Sequence, residues 1–238
     1  EGIGGFEMMD ELRQQAERFG ADVRDVEITA VDFSKRPFTA TTDDGTAIKA
    51  DTVIIATGAS AKYLGIDDEQ RYAGRGVSAC ATCDGFFYRK KTVAVVGGGD
   101  TACEEASYLS NLADKVYMIV RKDYLRASKV MQRRVMENQK IEIFFNTNTV
   151  GLFGDAKVEG AHLVRFKGTD REETFDIAID GFFLGIGHRP NTDIFANQIA
   201  LDEQGYIKTD GVTTATNIPG VFAAGDVADP RYRQAITS

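Results

Sequence analysis

The segment that most constrains this chain is TVAVVGGGDTACEEASYLSNL at residues 92–112, because it reads as an apolar strand, a glycine turn and a helix. Gly97-Gly98-Gly99-Asp100-Thr101-Ala102 matches G-x-G-x-x-G/A, and the strand and helix around it make this short motif specific. Gly97 permits the tight turn, Gly99 lets the backbone approach a pyrophosphate, and Ala102 keeps helix and strand close. The start of the helix offers N–H groups and a positive dipole end to phosphates. The pattern predicts a dinucleotide site that includes Gly97, Gly99, Asp100 and Thr101; the alternative is a plain turn without a ligand.

Basic residues follow the second strand of this unit, where the choice between nicotinamide cofactors is usually made. An NAD site carries an acidic residue there for the ribose hydroxyls, whereas an NADP site carries cations. This chain has Arg121, Lys122 and Arg126, with Asp123 among them. Arginine grips a phosphate through two parallel hydrogen bonds. The cluster therefore favours NADPH, and a solvated charged turn is the alternative.

A close cysteine pair, Cys80-Ala81-Thr82-Cys83, precedes the glycine turn and is followed by Asp84. Such short disulfide loops suit thiol–disulfide exchange better than structural crosslinking. The reactive species is the thiolate, and Asp84 is placed to give or take the proton that exchange requires. Half of a zinc site and a purely structural disulfide are the alternatives. Zinc needs two more ligands, and neither Cys103, predicted to pack in the core, nor the two histidines have suitable spacing, so no metal site is predicted.

Phe86 and Phe87 come directly after the pair. Two adjacent aromatic side chains beside a reactive disulfide either anchor an incoming protein or pack in the core, and the sequence leaves both readings open. Four cations flank the site and form either a surface that steers an acidic partner or a solvated rim: Arg75, Arg89, Lys90 and Lys91.

Composition excludes several classes of function. The 238 residues carry a formal net charge of −8, which opposes the phosphate contacts that nucleic-acid binding needs. No apolar run approaches the roughly 20 residues needed to cross a bilayer. Three cysteines do not make a secreted disulfide framework, so we expect a cytoplasmic redox protein.

Strand and helix patterns alternate along the chain, which predicts a parallel sheet with crossover helices. Hairpin patterns on either side suggest a small antiparallel sheet in each lobe. Helices are predicted at 5–19, 101–112 and 127–138; strands are predicted within 23–33, 37–42, 46–49, 51–59, 92–96, 141–145, 160–167, 175–184 and 220–226, with another that starts at 115.

Taken in order, CATCDG, VAVVGGGDTACEEASYLSN, GIGHRPNT, GVFAAGD and RQAITS resemble low-molecular-weight thioredoxin reductases of the bacterial type over essentially the whole chain. The resemblance implies an α/β fold of two Rossmann-like, three-layer ββα domains, with the NADPH domain inserted into a split FAD domain. The implied domains are 1–59 and 191–238 for FAD, and 60–190 for NADPH and the redox-active pair. The chain starts without Met and stops inside a helical pattern, so both ends, including the first glycine motif of the FAD domain, are expected to be missing.

The same resemblance assigns further roles. Cys83 would face the flavin, Cys80 would attack the disulfide of thioredoxin, and Asp84 would act as acid and base. The residues implied to border FAD are Thr57, Gly58, Gly225, Asp226, Arg233, Gln234 and Ala235.

The implied activity is that of a homodimeric thioredoxin-disulfide reductase that uses NADPH and FAD. A flavoprotein reductase of a peroxiredoxin and a non-catalytic nucleotide or redox sensor are the alternatives. A one-electron carrier reductase is disfavoured, because its partner needs no dithiol. The family often has His-Arg-Arg where this chain has Val120-Arg121-Lys122, and this departure bears on NADPH preference.

Overall fold

A computed structural model describes residues 3–232 of the chain. The chain divides into two compact units. One is formed by the two chain ends, up to Gly58 and from Pro190, and the other is Ala59–Arg189. We call them the terminal unit and the central unit. Their assignment to FAD and NADPH stays a prediction.

Residues 3–232 contain five α-helices of short to medium length: α1 (Gly5–Arg18), α2 (Asp67–Arg71), α3 (Ala81–Asp84), α4 (Asp100–Ser110) and α5 (Lys129–Met136). The strands are β1 (Ile28–Asp32), β2 (Phe38–Thr42), β3 (Ala47–Ala50), β4 (Val53–Ile55), β5 (Ala59–Ala61), β6 (Val77–Ser78), β7 (Thr92–Val96), β8 (Lys115–Ile119), β9 (Ile141–Phe144), β10 (Thr147–Phe153), β11 (Gly160–Arg165), β12 (Glu173–Ala178), β13 (Gly181–Leu184), β14 (His188–Pro190) and β15 (Val221–Ala223). Within residues 3–232, no helix is long and apolar enough to cross a membrane.

A five-stranded parallel sheet in the order β6-β13-β7-β8-β9 forms the middle of the central unit. Successive side chains of a strand point to opposite faces of the sheet. The side chains of β7 therefore belong to a different hydrophobic core on each face. Val93 and Val95 pack with α4 and α5, whereas Ala94 and Val96 belong to the core on the opposite face of the parallel sheet. Burial on both faces explains why β7 is an unbroken apolar run rather than an alternating one.

The other layer is an antiparallel sheet of β10, β11 and β12. Helices, parallel sheet and antiparallel sheet make three layers, which confirms the predicted α/β class and the ββα arrangement. The predicted antiparallel sheet in each lobe is also confirmed, because β1, β2 and β3 form a second one in the terminal unit.

The terminal unit has its own core, in which Phe33 stacks on Phe195 with ring centroids 6.2 Å apart. Strands β4 and β15 pair in parallel, so their carboxyl ends lie at the same edge. Helix α1 buries no residue of its own, and Phe6 is 97% exposed.

Most predicted elements are present, with three differences. The single strand predicted at 175–184 is two strands, β12 in the antiparallel sheet and β13 in the parallel sheet. The expected strand at 23–33 begins only at Ile28, because 21–27 has no regular structure. Strand β10 was missed, since Thr147 and Thr149 occupy buried positions where a hydropathy pattern looks for apolar side chains.

Candidate functional site

The glycine turn brings the C-terminal end of β7 against α4 and the segment after β13. Gly97 has φ +136°, and a Cβ built there would lie 2.5 Å from the carbonyl oxygen of Gly185. A Cβ on Gly185 would in turn lie 2.8 Å from Cα of Ala102. Gly97 and Ala102 therefore allow the close approach that the motif predicts. Gly185 contributes equally, and its place in the GIGHRPNT motif is the signal that could have revealed it.

The first turn of α4 is open toward solvent. Gly99 is the N-cap residue, no side chain caps the helix, and a Cβ on Gly99 would meet nothing within 4 Å. Thr101 is half-buried in that first turn. An uncapped helix start with free space over its glycine is what a pyrophosphate requires. The residues present therefore fit a dinucleotide.

Asp100 has a local role that its motif position did not suggest. Its Oδ1 accepts the Ser128 N–H at 2.9 Å, and the Ser128 backbone and hydroxyl lower the pKa of Asp100. The Arg126 N–H also donates to the Gly98 carbonyl at 2.7 Å. Asp100 is thus a positioning residue that ties the turn after β8 to the glycine turn.

The three predicted phosphate-binding cations lie on that turn. Arg121, Lys122 and Arg126 are all exposed. Arg121 also lines a cleft of about 460 Å³ together with residues from two other turns. Exposed cations beside an uncapped helix start suit a nucleotide that carries an extra phosphate.

Cys80 and Cys83 form a disulfide with Cα atoms 5.3 Å apart. Cys80 is the N-cap residue of α3, and its Sγ accepts the Cys83 N–H at 3.2 Å. Cys83 and Thr82 are exposed, whereas Cys80 and Asp84 are half-buried. The Asp84 N–H donates to the Cys80 carbonyl at 3.1 Å, which fixes the acidic residue in the same turn.

Two small residues hold the pair against the core. Ala81 is 2% exposed and packs in the helix-side core. A Cβ on Gly85 would lie 3.0 Å from both Leu109 and Tyr108 of α4, so a larger residue there would force these side chains to shift. The glycine that follows the CATCD sequence therefore packs closely against α4, which its spacing alone did not indicate.

Phe86 and Phe87 are 62% and 70% exposed, which excludes core packing of these side chains. The guanidinium of Arg89 lies over the Phe86 ring at 5.3 Å. The disulfide is thus bordered by an exposed aromatic pair with an adjacent cation.

Cys103, the third cysteine, is fully buried in the helix-side core, as predicted. Burial is the main cause that raises the pKa of its thiol to about 11, and Asp100 and Glu104 add to the effect. This thiol is kept protonated and takes no part in exchange. Among the described residues, no group of three or more metal-ligating side chains is arranged to hold a metal ion.

In the terminal unit, the predicted FAD residues lie at the shared edge of β4 and β15. Thr57 Oγ1 donates to the Asn191 carbonyl at 2.8 Å. Gly58 and Gly225 have positive φ values of +69° and +74°, and a Cβ on Gly58 would meet nothing within 4 Å. Asp226 follows β15 in a 3-10 turn and is half-buried. Ligands of parallel sheets bind at this end of the strands, so these residues fit a flavin chain.

Three further predicted FAD residues lie outside the described part of the chain: Arg233, Gln234 and Ala235.

Comparison with known proteins gives a consistent result. A family model described as pyridine nucleotide-disulphide oxidoreductase matches residues 3–238. The mitochondrial thioredoxin reductase of Kluyveromyces lactis is 49% identical over 243 residues, which cover all of this chain and 69% of that protein. The thioredoxin reductase of Streptomyces coelicolor is 46% identical over 238 residues, covering all of this chain and 73% of that protein.

Solved structures agree. The thioredoxin reductase from Giardia duodenalis superposes with a TM-score of 0.89 and 40% identity, over 99% of this chain and 76% of that one. The enzyme from Streptococcus pyogenes gives a TM-score of 0.86 and 35% identity over the same shares.

Proposed function

Because this chain belongs to the pyridine nucleotide-disulphide oxidoreductase family, we propose that it is the greater part of a thioredoxin-disulfide reductase driven by NADPH. The observation that carries the proposal is an accessible Cys80–Cys83 disulfide in the same unit as an uncapped glycine turn. Reductases of this family use FAD and NADPH. Bound FAD would supply a two-electron carrier between the nicotinamide and the disulfide.

The proposed exchange reaction balances in two halves. Two electrons and two protons open the Cys80–Cys83 bond and give two thiols. One thiolate then attacks the disulfide of thioredoxin and forms a mixed disulfide, with release of one thioredoxin thiol. The second cysteine attacks this mixed disulfide, which restores the Cys80–Cys83 bond and frees thioredoxin as a dithiol.

Cys80 is the cysteine that we assign to the attack on thioredoxin. As the N-cap residue it receives the Cys83 N–H at 3.2 Å, and this hydrogen bond favours a thiolate over a thiol. Cys83 is then the cysteine that resolves the mixed disulfide and receives electrons. Asp84 holds and returns the proton, because it directly follows Cys83 and its N–H donates to the Cys80 carbonyl in the same turn.

Phe86 and Phe87 are the anchors that we propose for thioredoxin. Exposed aromatic side chains beside the reacting bond bury large apolar area when a protein docks. Arg89, which lies over Phe86, with Lys90 and Lys91 would steer an acidic partner toward this surface.

The finer features of the proposal have separate support. NADPH, rather than NADH, follows from Arg121, Lys122 and Arg126 on the turn after β8. A cytoplasmic location follows from the single exchange-type cysteine pair, and localisation of a tagged full-length protein tests it against the mitochondrion. A homodimer rests on family likeness alone. The molecular mass in solution, measured by analytical ultracentrifugation, tests it.

The full-length protein provides the decisive assay. Its absorption spectrum reports bound flavin, and NADPH oxidation is followed with thioredoxin as the disulfide substrate. We expect Cys80→Ser and Cys83→Ser to abolish thioredoxin reduction while NADPH still bleaches the flavin. Thioredoxin reduction by the double serine variant contradicts the proposal. Turnover with a peroxiredoxin but not with thioredoxin assigns the chain to the alternative reductase.

A further inference from the structure

Three turns of the central unit meet around one cleft of about 460 Å³. The first follows β8 and carries Arg121. The second joins β9 to β10, and the third, at 166–172, joins β11 to β12 and carries Lys167 and Arg171. We call the last one the β11–β12 turn. Nothing in the glycine motif predicts that this turn, so distant in sequence, lies beside Arg121.

The cleft is strongly basic although the chain is acidic. Arg121, Lys167 and Arg171 line it, and no carboxylate of the described part of the chain does, whereas the whole chain has 36 acidic and 28 basic residues. The Glu172 carboxylate of the same turn accepts the Gly168 N–H at 2.6 Å, so it is directed to its own backbone. Cations gathered around one concavity, against the overall balance of charge, indicate an anionic ligand.

The backbone around the cleft is held in an uncommon conformation. Phe166 has a φ of +52°, which bulky side chains rarely adopt, and Asn146 has a φ of +54°, which asparagine adopts more readily than most residues. The Phe166 N–H donates to the Asn146 carbonyl at 2.8 Å, and the Asn146 N–H donates to the Lys122 carbonyl at 3.0 Å. This chain of bonds joins the β11–β12 turn to the turn that carries the predicted phosphate-binding cations. Strained positions such as that of Phe166 concentrate at functional sites.

Two side chains of the cleft also contact each other. The Arg171 guanidinium lies over the Phe166 ring, 4.4 Å from its centroid. Asn146 and Asn148 add neutral amides to the lining. An aromatic face, a stacked guanidinium and amides suit a planar base next to a phosphate better than a small inorganic anion.

The register of β8 explains how Arg121 reaches this side of the sheet. Met118 and Val120 belong to the helix-side core, and Ile119 belongs to the core under the antiparallel sheet. Alternation therefore directs Arg121 toward the antiparallel layer, where the β11–β12 turn lies.

We propose that Lys167 and Arg171 complete, from the β11–β12 turn, the site for the phosphorylated adenosine end of NADPH that Arg121 begins. The proposal rests on the proposed function and deepens it. It assigns part of the preference for NADPH over NADH to a turn outside the dinucleotide motif. Lys167 and Arg171 act by binding and not in the redox chemistry, so they change affinity and leave turnover at saturation alone.

The test uses the full-length protein and the fragments 2′,5′-ADP and 5′-ADP, with binding measured by calorimetry. We expect the double variant Lys167→Gln/Arg171→Gln to weaken 2′,5′-ADP binding about tenfold and to leave 5′-ADP binding unchanged. Lys167→Gln alone, which leaves the contact of Arg171 with Phe166 in place, is expected to give about a threefold loss. Lys157→Gln, in the hairpin at the other end of the same antiparallel sheet, is the matched control and should bind both fragments as the wild type does.

Kinetics provide the second readout. The KM for NADPH should rise about tenfold in the double variant, with an unchanged KM for NADH and an unchanged kcat. Equal losses for both fragments, or none, overturn the proposal, and so does a wild type that does not bind 2′,5′-ADP. Failure of the proposed function is a different result, in which the wild type binds 2′,5′-ADP but does not reduce thioredoxin.

Discussion

Gly97→Ala tests the packing of the glycine turn. The new Cβ must accept φ +136° and a distance of 2.5 Å to the Gly185 carbonyl oxygen, which is backbone and cannot turn away. Strain at such a φ costs about 1–3 kcal/mol, and overpacking costs about as much again. We therefore expect the central unit to lose at least about 2 kcal/mol, which is a roughly 30-fold larger opening equilibrium. Hydrogen–deuterium exchange of the amides of Thr92–Val96 should speed up by that factor.

Gly99→Ala is the matched control in the same turn. Its φ is −93°, and a Cβ there meets nothing within 4 Å, so the amides of β7 should exchange at most about fivefold faster. Binding of NADPH should suffer instead, because the methyl group enters the space predicted for the pyrophosphate. The amides of Val221–Ala223 in the terminal unit serve as an internal reference. Equal exchange rates of β7 in the two variants refute the reasoning.

Three further changes probe the site. Gly85→Ala places a methyl group 3.0 Å from Leu109 and Tyr108 and should lower the free energy of unfolding by about 1–3 kcal/mol, measured by urea denaturation of the central unit. Asp84→Asn should slow thioredoxin reduction about 100-fold while flavin bleaching by NADPH stays unchanged in stopped flow. The buried Cys103 thiol has its pKa raised from 9.0 to about 11, so its contribution to stability is complete below pH 9 and is lost as the pH rises toward 11. The urea midpoint of Cys103→Ala should fall less than that of the wild type between pH 8 and pH 10.5, and parallel falls would contradict this assignment.

The glycine turn was predictable because its chemistry is local. Strand, turn and helix are contiguous, and the apolar run of β7 shows that the strand is buried on both faces. Strand β10 was not predictable from hydropathy, because Thr147 and Thr149 are buried with their hydroxyl groups. Phe86 and Phe87 could not be placed from sequence either. Their exposure depends on Gly85, which turns inward against α4 and directs its neighbours outward.

The basic cleft is the clearest example of a feature that could not be predicted from the sequence. Arg121 and Lys167 are far apart in the chain, and only the three-layer stacking brings their turns together. The positive φ of Phe166 could not be predicted from its residue type, because bulky side chains rarely adopt that conformation. Lys167 and Arg171 look like ordinary turn residues until the antiparallel sheet is stacked on the parallel one.

The path of the turn after β8 is fixed by main-chain groups. The N–H groups of Arg126 and Ala127 both donate to the Gly98 carbonyl, at 2.7 and 3.1 Å. Arg126 is exposed, whereas Leu125 and Ala127 of the same turn are buried in the helix-side core. On the proposed function, coenzyme selectivity is therefore an exchangeable trait, because the exposed side chains can be exchanged while the buried ones and the main-chain bonds are kept. The coenzyme preference of this reductase can therefore be changed by substituting exposed residues of the loop, without a change of its backbone.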